Sequence, residues 1–154
     1  MLGYTIASKS RPAEIMLIED NFGDVILIRK ALQTTGITSN IQVADDGQMA
    51  FDMLHRRGAY ASASLPDIIL LDINLPKMNG VEVLRTIKED SVLRRIPVIV
   101  MSSSKARTDI SRCYDLHANA YIIKPANMEK LVEVMQAISQ FWFNLVLYVD
   151  HTEH

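Results

Sequence analysis

The chain has 154 residues, 49% of them hydrophobic and 22% charged, with a net charge of −2. That size and balance suit one globular domain with a single core, and without clustered Lys and Arg no nucleic-acid partner is expected. The lone Cys113 excludes an internal disulfide, and no apolar run reaches the roughly 20 residues of a membrane helix. A cytoplasmic protein with no membrane contact is the expectation, since the opening residues are too polar for a signal peptide.

Residues 1–13 read as a flexible lead, because Gly3, Pro12 and scattered serines break any period. Residues 15–18 are a short apolar run ending in Glu19-Asp20-Asn21. From 22 to 35, Val25, Ile28 and Leu32 recur at helical spacing until Gly36 stops the helix. A second strand is expected at 41–44 and a helix at 48–56, with Phe51 and Leu54 turned inward. Residues 58–66 have the composition of a surface loop.

Next comes the stretch around which the chain is organised. Ile68, Ile69, Leu70 and Leu71 form an unbroken apolar run, the mark of a strand covered on both faces, and it ends in Asp72. Charge in such a place is costly to desolvate and seldom idle. Asn74, Pro76, Asn79 and Gly80 then supply turn chemistry. A helix carries Val81, Val83, Leu84 and Ile87, and a fourth strand is expected at 97–101, followed by Ser102-Ser103-Ser104. An amphipathic helix over 105–116 has Lys105, Arg107, Asp109 and Arg112 on its wet side. A fifth strand over 120–123 ends at Lys124-Pro125, and Asn127 is placed to cap a final helix.

Strands alternating with helices argue for a doubly wound, flavodoxin-like parallel sheet of five strands in the order 2-1-3-4-5, an α/β fold. In that order the first and third strands are neighbours, so Glu19, Asp20 and Asp72 converge in one crevice at the carboxyl edge. Three carboxylates repel one another, and a hard divalent cation with oxygen ligands is the physical remedy, Mg²⁺ above all. Mg²⁺ leaves room for a phosphoryl group, so Asp72 could attack phosphorus while Lys124 neutralises charge and Ser102 donates a hydrogen bond.

Glu19-Asp20-Asn21, Asp72 with 74–80, Ser102 and Lys124-Pro125 together resemble, in order and spacing, the receiver domain of two-component response regulators. The resemblance covers about 14–138. It implies that Asp72 is the phosphoacceptor for a sensor histidine kinase, with Lys124 and Ser102 assisting. It also implies Mg²⁺ on Asp20, Asp72 and the Asn74 backbone oxygen, with Glu19 acting through water. Ser102 and Tyr121 become the switch pair, and the Lys124-Pro125 bond becomes cis. Residues 19–25 and the aromatic tail look most like cyanobacterial regulators paired with phytochrome kinases. Such a protein assists its own phosphorylation and dephosphorylation without being an enzyme that turns over a separate substrate. Two alternatives stand beside it: a phosphorelay intermediate, or a degenerate receiver that only binds. An aspartyl-phosphate phosphatase is disfavoured, because such enzymes carry a second acid where Asn74 stands.

The domain plan is a lead over 1–13, a receiver over 14–140 and an apolar extension over 141–154. Eight of the nine residues from 141 to 149 are apolar. A stripe of period near 3.5 runs through Leu131, Val134 and Ile138 into this tail, longer than one face of a small sheet needs. Phe141, Trp142, Leu145 and Tyr148 are therefore expected to form the core of a homodimer.

Overall fold

A computed structural model of the chain describes residues 11–143. Five parallel strands, β1 (Ala13–Ile18), β2 (Ser39–Ala44), β3 (Ile68–Leu71), β4 (Val98–Ser102) and β5 (Ala120–Ile123), lie in the order β2-β1-β3-β4-β5, the expected arrangement. The helices α1 (Phe22–Gln33), α2 (Gly47–Leu54), α3 (Gly80–Glu89), α4 (Arg107–Asp115) and α5 (Met128–Ile138) connect or follow them. Each strand's alternating side chains feed two separate cores. Ile15, Leu17, Ile68, Leu70, Ile99 and Met101 pack beneath α1 and α5. Met16, Ile18, Ile69, Leu71, Val98 and Val100 pack against α2, α3 and α4.

Caps fix where four of the helices begin. The side chains of Asn21, Asp46, Asn79 and Asn127 each accept a backbone N–H in the first turn of α1, α2, α3 and α5. Two helices end in Schellman turns with a non-glycine residue in the left-handed region, Arg56 at φ 56° and His117 at φ 69°. After α4 the Ala118 N–H donates to the Cys113 carbonyl and the His117 N–H to that of Tyr114, which closes both rings of the motif. At the opposite edge of the sheet from the acids, Arg11 grips the buried Asp67 with two hydrogen bonds of 2.7 and 2.5 Å, and the Glu14 N–H donates to the same carboxylate.

The end of the last helix departs from the expected period. After α5 the chain widens into a π-turn, Ser139–Phe143, which adds about one residue to the turn relative to an α-helix. Phe143, not Phe141, consequently turns into the core beneath α1 and α5. Phe141 stays 54% exposed and meets the half-buried Trp142 edge to face at 5.3 Å. Leu145 and Tyr148 lie outside the described residues. The Lys124-Pro125 bond also differs from expectation: among the described residues no peptide bond is cis, in keeping with the ordinary trans preference of X–Pro bonds.

Candidate functional site

Register brings the chemistry together. Ile18 of β1 pairs with Leu71 of β3, so Glu19 and Asp72, each one residue further on, emerge level at the carboxyl edge. Ser102 pairs with Ile123, so Lys124 emerges one residue past Ser102 on the other side of β3. The Glu19 N–H donates to the Ala44 carbonyl, the Asp72 N–H to that of Ile18 and the Lys124 N–H to that of Ser102. These bonds extend the ladder one residue beyond the strands and fix the three side chains at their roots.

The loop after Asp72 must then turn away at once. The Asn74 N–H donates to Asp72 Oδ1 at 2.9 Å, and the Gly80 N–H donates back to the Ile73 carbonyl. Only glycine fits this return, because a Cβ on Gly80 would lie 2.3 Å from Ile73 Cα and 2.5 Å from the Asp72 carbonyl oxygen. Sequence thus dictates a tight loop whose packing holds the Asp72 carboxylate in place.

One carboxylate oxygen from each of Glu19, Asp20 and Asp72 lies within 4.8 Å of the other two. Glu19 and Asp72 are buried while Asp20 is exposed, which leaves one open side. From across the crevice Lys124 Nζ reaches Glu19 Oε1 at 2.5 Å, Asp24 Oδ2 at 2.8 Å and Asp72 Oδ2 at 2.9 Å. Burial, the largest influence, pushes the Glu19 carboxyl up to about 7 against the pull of Lys124, and the neighbouring Asp72 charge adds to the rise. Burial alone would lower the Lys124 ammonium, yet its hydrogen bonds to Asp24, Glu19 and Asp72 prevail and hold it above its usual range. Four acids thus face one cation. A hard, all-oxygen donor set with excess negative charge fits a divalent cation, and Glu19, Asp20 and Asp72 are the residues that would hold it.

Ser102 is completely buried at the end of β4, and its Oγ accepts from the Ser104 N–H at 3.1 Å and, at a long 3.4 Å, from Asn74 Nδ2. It therefore bridges the loops after β3 and β4. Ser104 is braced in turn: its hydroxyl donates to Asp109 at 2.5 Å, and its carbonyl accepts from the Tyr121 hydroxyl at 2.9 Å. The Tyr121 N–H, on the outer side of edge strand β5, donates to the Tyr114 hydroxyl. A continuous polar path runs from Asn74 through Ser102 and Ser104 to Tyr121 and the surface of α4.

Asp24 is the side chain in contact with Lys124 that sequence reading passed over. An acid in the first turn of a helix is already accounted for by the helix dipole, so its reach to Lys124 carried no separate signal. Asn21 as N-cap was the available clue, since it sets the start of α1 beside the carboxyl edge.

A parallel α/β sheet that gathers three acids at its switch point and braces them with a lysine just past the last strand defines a doubly wound domain with an acidic cleft at its ligand-binding edge. The chain belongs to the response regulator receiver domain family, whose model matches residues 15–136. It is 38% identical over 135 residues to the response regulator Rcp1 of a Synechocystis species, covering 88% of this chain and 92% of that one. To the probable methanogenesis regulatory protein FilR2 of Methanothrix harundinacea it is 41% identical over 133 residues, 85% of this chain and 84% of that one. Among solved structures it is similar to the phosphorylated cyanobacterial phytochrome response regulator RcpA, with a TM-score of 0.86, 43% identity and coverage of 91% and 100%. A Mn²⁺-bound form of Rcp1 gives a TM-score of 0.84 at 37% identity, covering 90% of this chain and all of that one. Membership makes this a signalling protein of the two-component type, related to phytochrome response regulators.

Proposed function

We propose that the chain is a stand-alone response regulator that takes a phosphoryl group from a sensor histidine kinase onto Asp72 and changes its protein contacts in response. The observation that carries this reading is the position of Lys124 Nζ, 2.9 Å from Asp72 Oδ2 beside three acids whose oxygens share one small space. Mg²⁺ held by Asp20, Asp72 and the Asn74 carbonyl, with Glu19 acting through water, would offset the charge of the transferred group. An Asp72 oxygen attacks phosphorus; the new O–P bond forms as the P–N bond to the donor imidazole breaks, and that electron pair stays on nitrogen. Lys124 follows the charge and donates to a phosphoryl oxygen. Ser102 gives up its contacts with Ser104 and Asn74 to donate to another, which frees the Ser104 loop and lets Tyr121 turn inward. Asn74 and Ser104 flank the approach of the water that later hydrolyses the acyl phosphate.

The altered surface spans α4, β5 and α5, where Tyr114 and Ile123 are already exposed. Similarity to the phytochrome response regulator RcpA favours a phytochrome kinase as donor. The exposed Phe141, with Trp142 beside it, favours a homodimer through the C-terminal segment, to which Leu145 and Tyr148 belong. Incubation with a panel of autophosphorylated histidine kinases tests the donor. Transfer from a phytochrome kinase is expected to outpace the others and to vanish in Asp72→Asn, and equal, slow transfer from all would count against a phytochrome donor. Sedimentation of Phe141→Asp, which spares the buried Phe143, is expected to give a monomer where the unaltered chain gives a dimer.

A further inference from the structure

Lys124 Nζ donates hydrogen bonds to Asp24 and Asp72 and pairs with Glu19, and of these three carboxylates Glu19 and Asp72 belong to the close acid cluster while Asp24 does not. A divalent cation in that cluster would compete with Lys124 for the charge of Glu19 and Asp72. Asp24 alone would then keep its full charge for the ammonium. It is also well placed to use it, since the Asn21 cap accepts the Asp24 N–H at 2.9 Å and fixes Asp24 in the first turn of α1, where its side chain is more exposed than those of Glu19 and Asp72. We infer that Asp24 is a positioning residue for phosphoryl transfer, a second anchor that holds the Lys124 ammonium while it releases the Asp72 oxygen.

The chemical consequence concerns the nucleophile. A hydrogen bond from Lys124 to Asp72 Oδ2 withdraws electron density from the carboxylate that must attack phosphorus, so the lysine is useful only when it can lean outward without being lost. Asp24, 2.8 Å from Nζ on the solvent side, supplies that second anchor. With asparagine there, the ammonium settles on Glu19 and Asp72, and the attacking oxygen is held back. This inference rests on the phosphoacceptor reading of Asp72.

Acetyl phosphate is the probe, with Mg²⁺ present. An Asp72 oxygen attacks phosphorus, the P–O bond to the acetyl group breaks, and acetate leaves with the electron pair. The unaltered chain is expected to take label that Asp72→Asn does not. If the unaltered chain takes none, the receiver reading and this inference fall together. Given label, Asp24→Asn is expected to lower the saturating rate about tenfold while donor half-saturation does not rise and Mg²⁺ affinity by calorimetry stays within about twofold. Asp24→Glu should restore part of the rate. In a Lys124→Ala background the Asp24→Asn change should add nothing, since both act through one bond. In metal-free protein the Lys124 ammonium protons, observed by NMR, should exchange with solvent faster in Asp24→Asn. A labelled Asp24→Asn chain with an unaltered saturating rate, or with equal loss in the Lys124→Ala background, would overturn the role of Asp24 and leave the receiver reading intact.

Discussion

Lowering the pH from 8 to 6 should weaken divalent-cation binding by about an order of magnitude, and one side chain is responsible. Glu19 is 2% exposed, and its burial among other acids raises its carboxyl to about 7 in the metal-free protein. Its charged fraction is then about nine-tenths at pH 8 and about one-tenth at pH 6, and a cation that needs the carboxylate binds in proportion. The expected slope approaches one decade per pH unit below 7, with about one proton released per ion bound. Calorimetric titration in two buffers of different ionisation enthalpy reads both quantities. Glu19→Gln should flatten the profile. Affinity independent of pH between 6 and 8 in the unaltered chain would refute the assignment of Glu19 to the cation site. The same linkage acts on the fold: a carboxyl raised in the folded state stabilises fully below its unfolded value of 4.5, and that contribution is lost as pH rises through about 7. Metal-free protein should therefore lose stability across that window, and added cation should stabilise it most above pH 7.

Gly80→Ala should cost about 3 kcal/mol in urea unfolding, because the new Cβ meets the backbone of Ile73 and Asp72, which cannot step aside; a loss below about 1 kcal/mol would show that the loop yields. His117→Gly should raise stability by roughly 0.5–1 kcal/mol, since glycine relieves the left-handed φ of 69° at the end of α4. A lower melting temperature for that variant would contradict the strain argument.

The sequence made the sheet legible because its central strands are short, unbroken apolar runs, buried on both faces, and each ends on a chemically conspicuous residue. Edges were harder. β2 begins at Ser39, two residues before its apolar run, because an edge strand pairs through backbone whatever its side chains. Ser102 proved to be the last residue of β4 and not the first of the loop, since pairing with Ile123 carries the strand one residue further. Asp20, Asp72 and Glu19 could be brought together from strand order alone, and Lys124 from its place after β5. The bond from Asp24 to Lys124 spans 100 residues of sequence and is satisfied by a residue type that helix starts favour anyway, so nothing local marked it. In the tail the apolar stripe was visible, and the expectation set Phe141 and Trp142 in a homodimer core; that Phe143 turns into the domain's own core was not legible, because a π-turn shifts the phase of the helix.

Mass spectrometry of the intact chain after exposure to acetyl phosphate and Mg²⁺, followed by borohydride trapping and peptide mapping, bears most directly on the acidic notch. One phosphoryl group per chain, mapped to Asp72 and strongly diminished in Lys124→Ala, is the result that the geometry requires. Modification elsewhere, or an Asp72→Asn chain that takes label as readily as the unaltered protein, would contradict it.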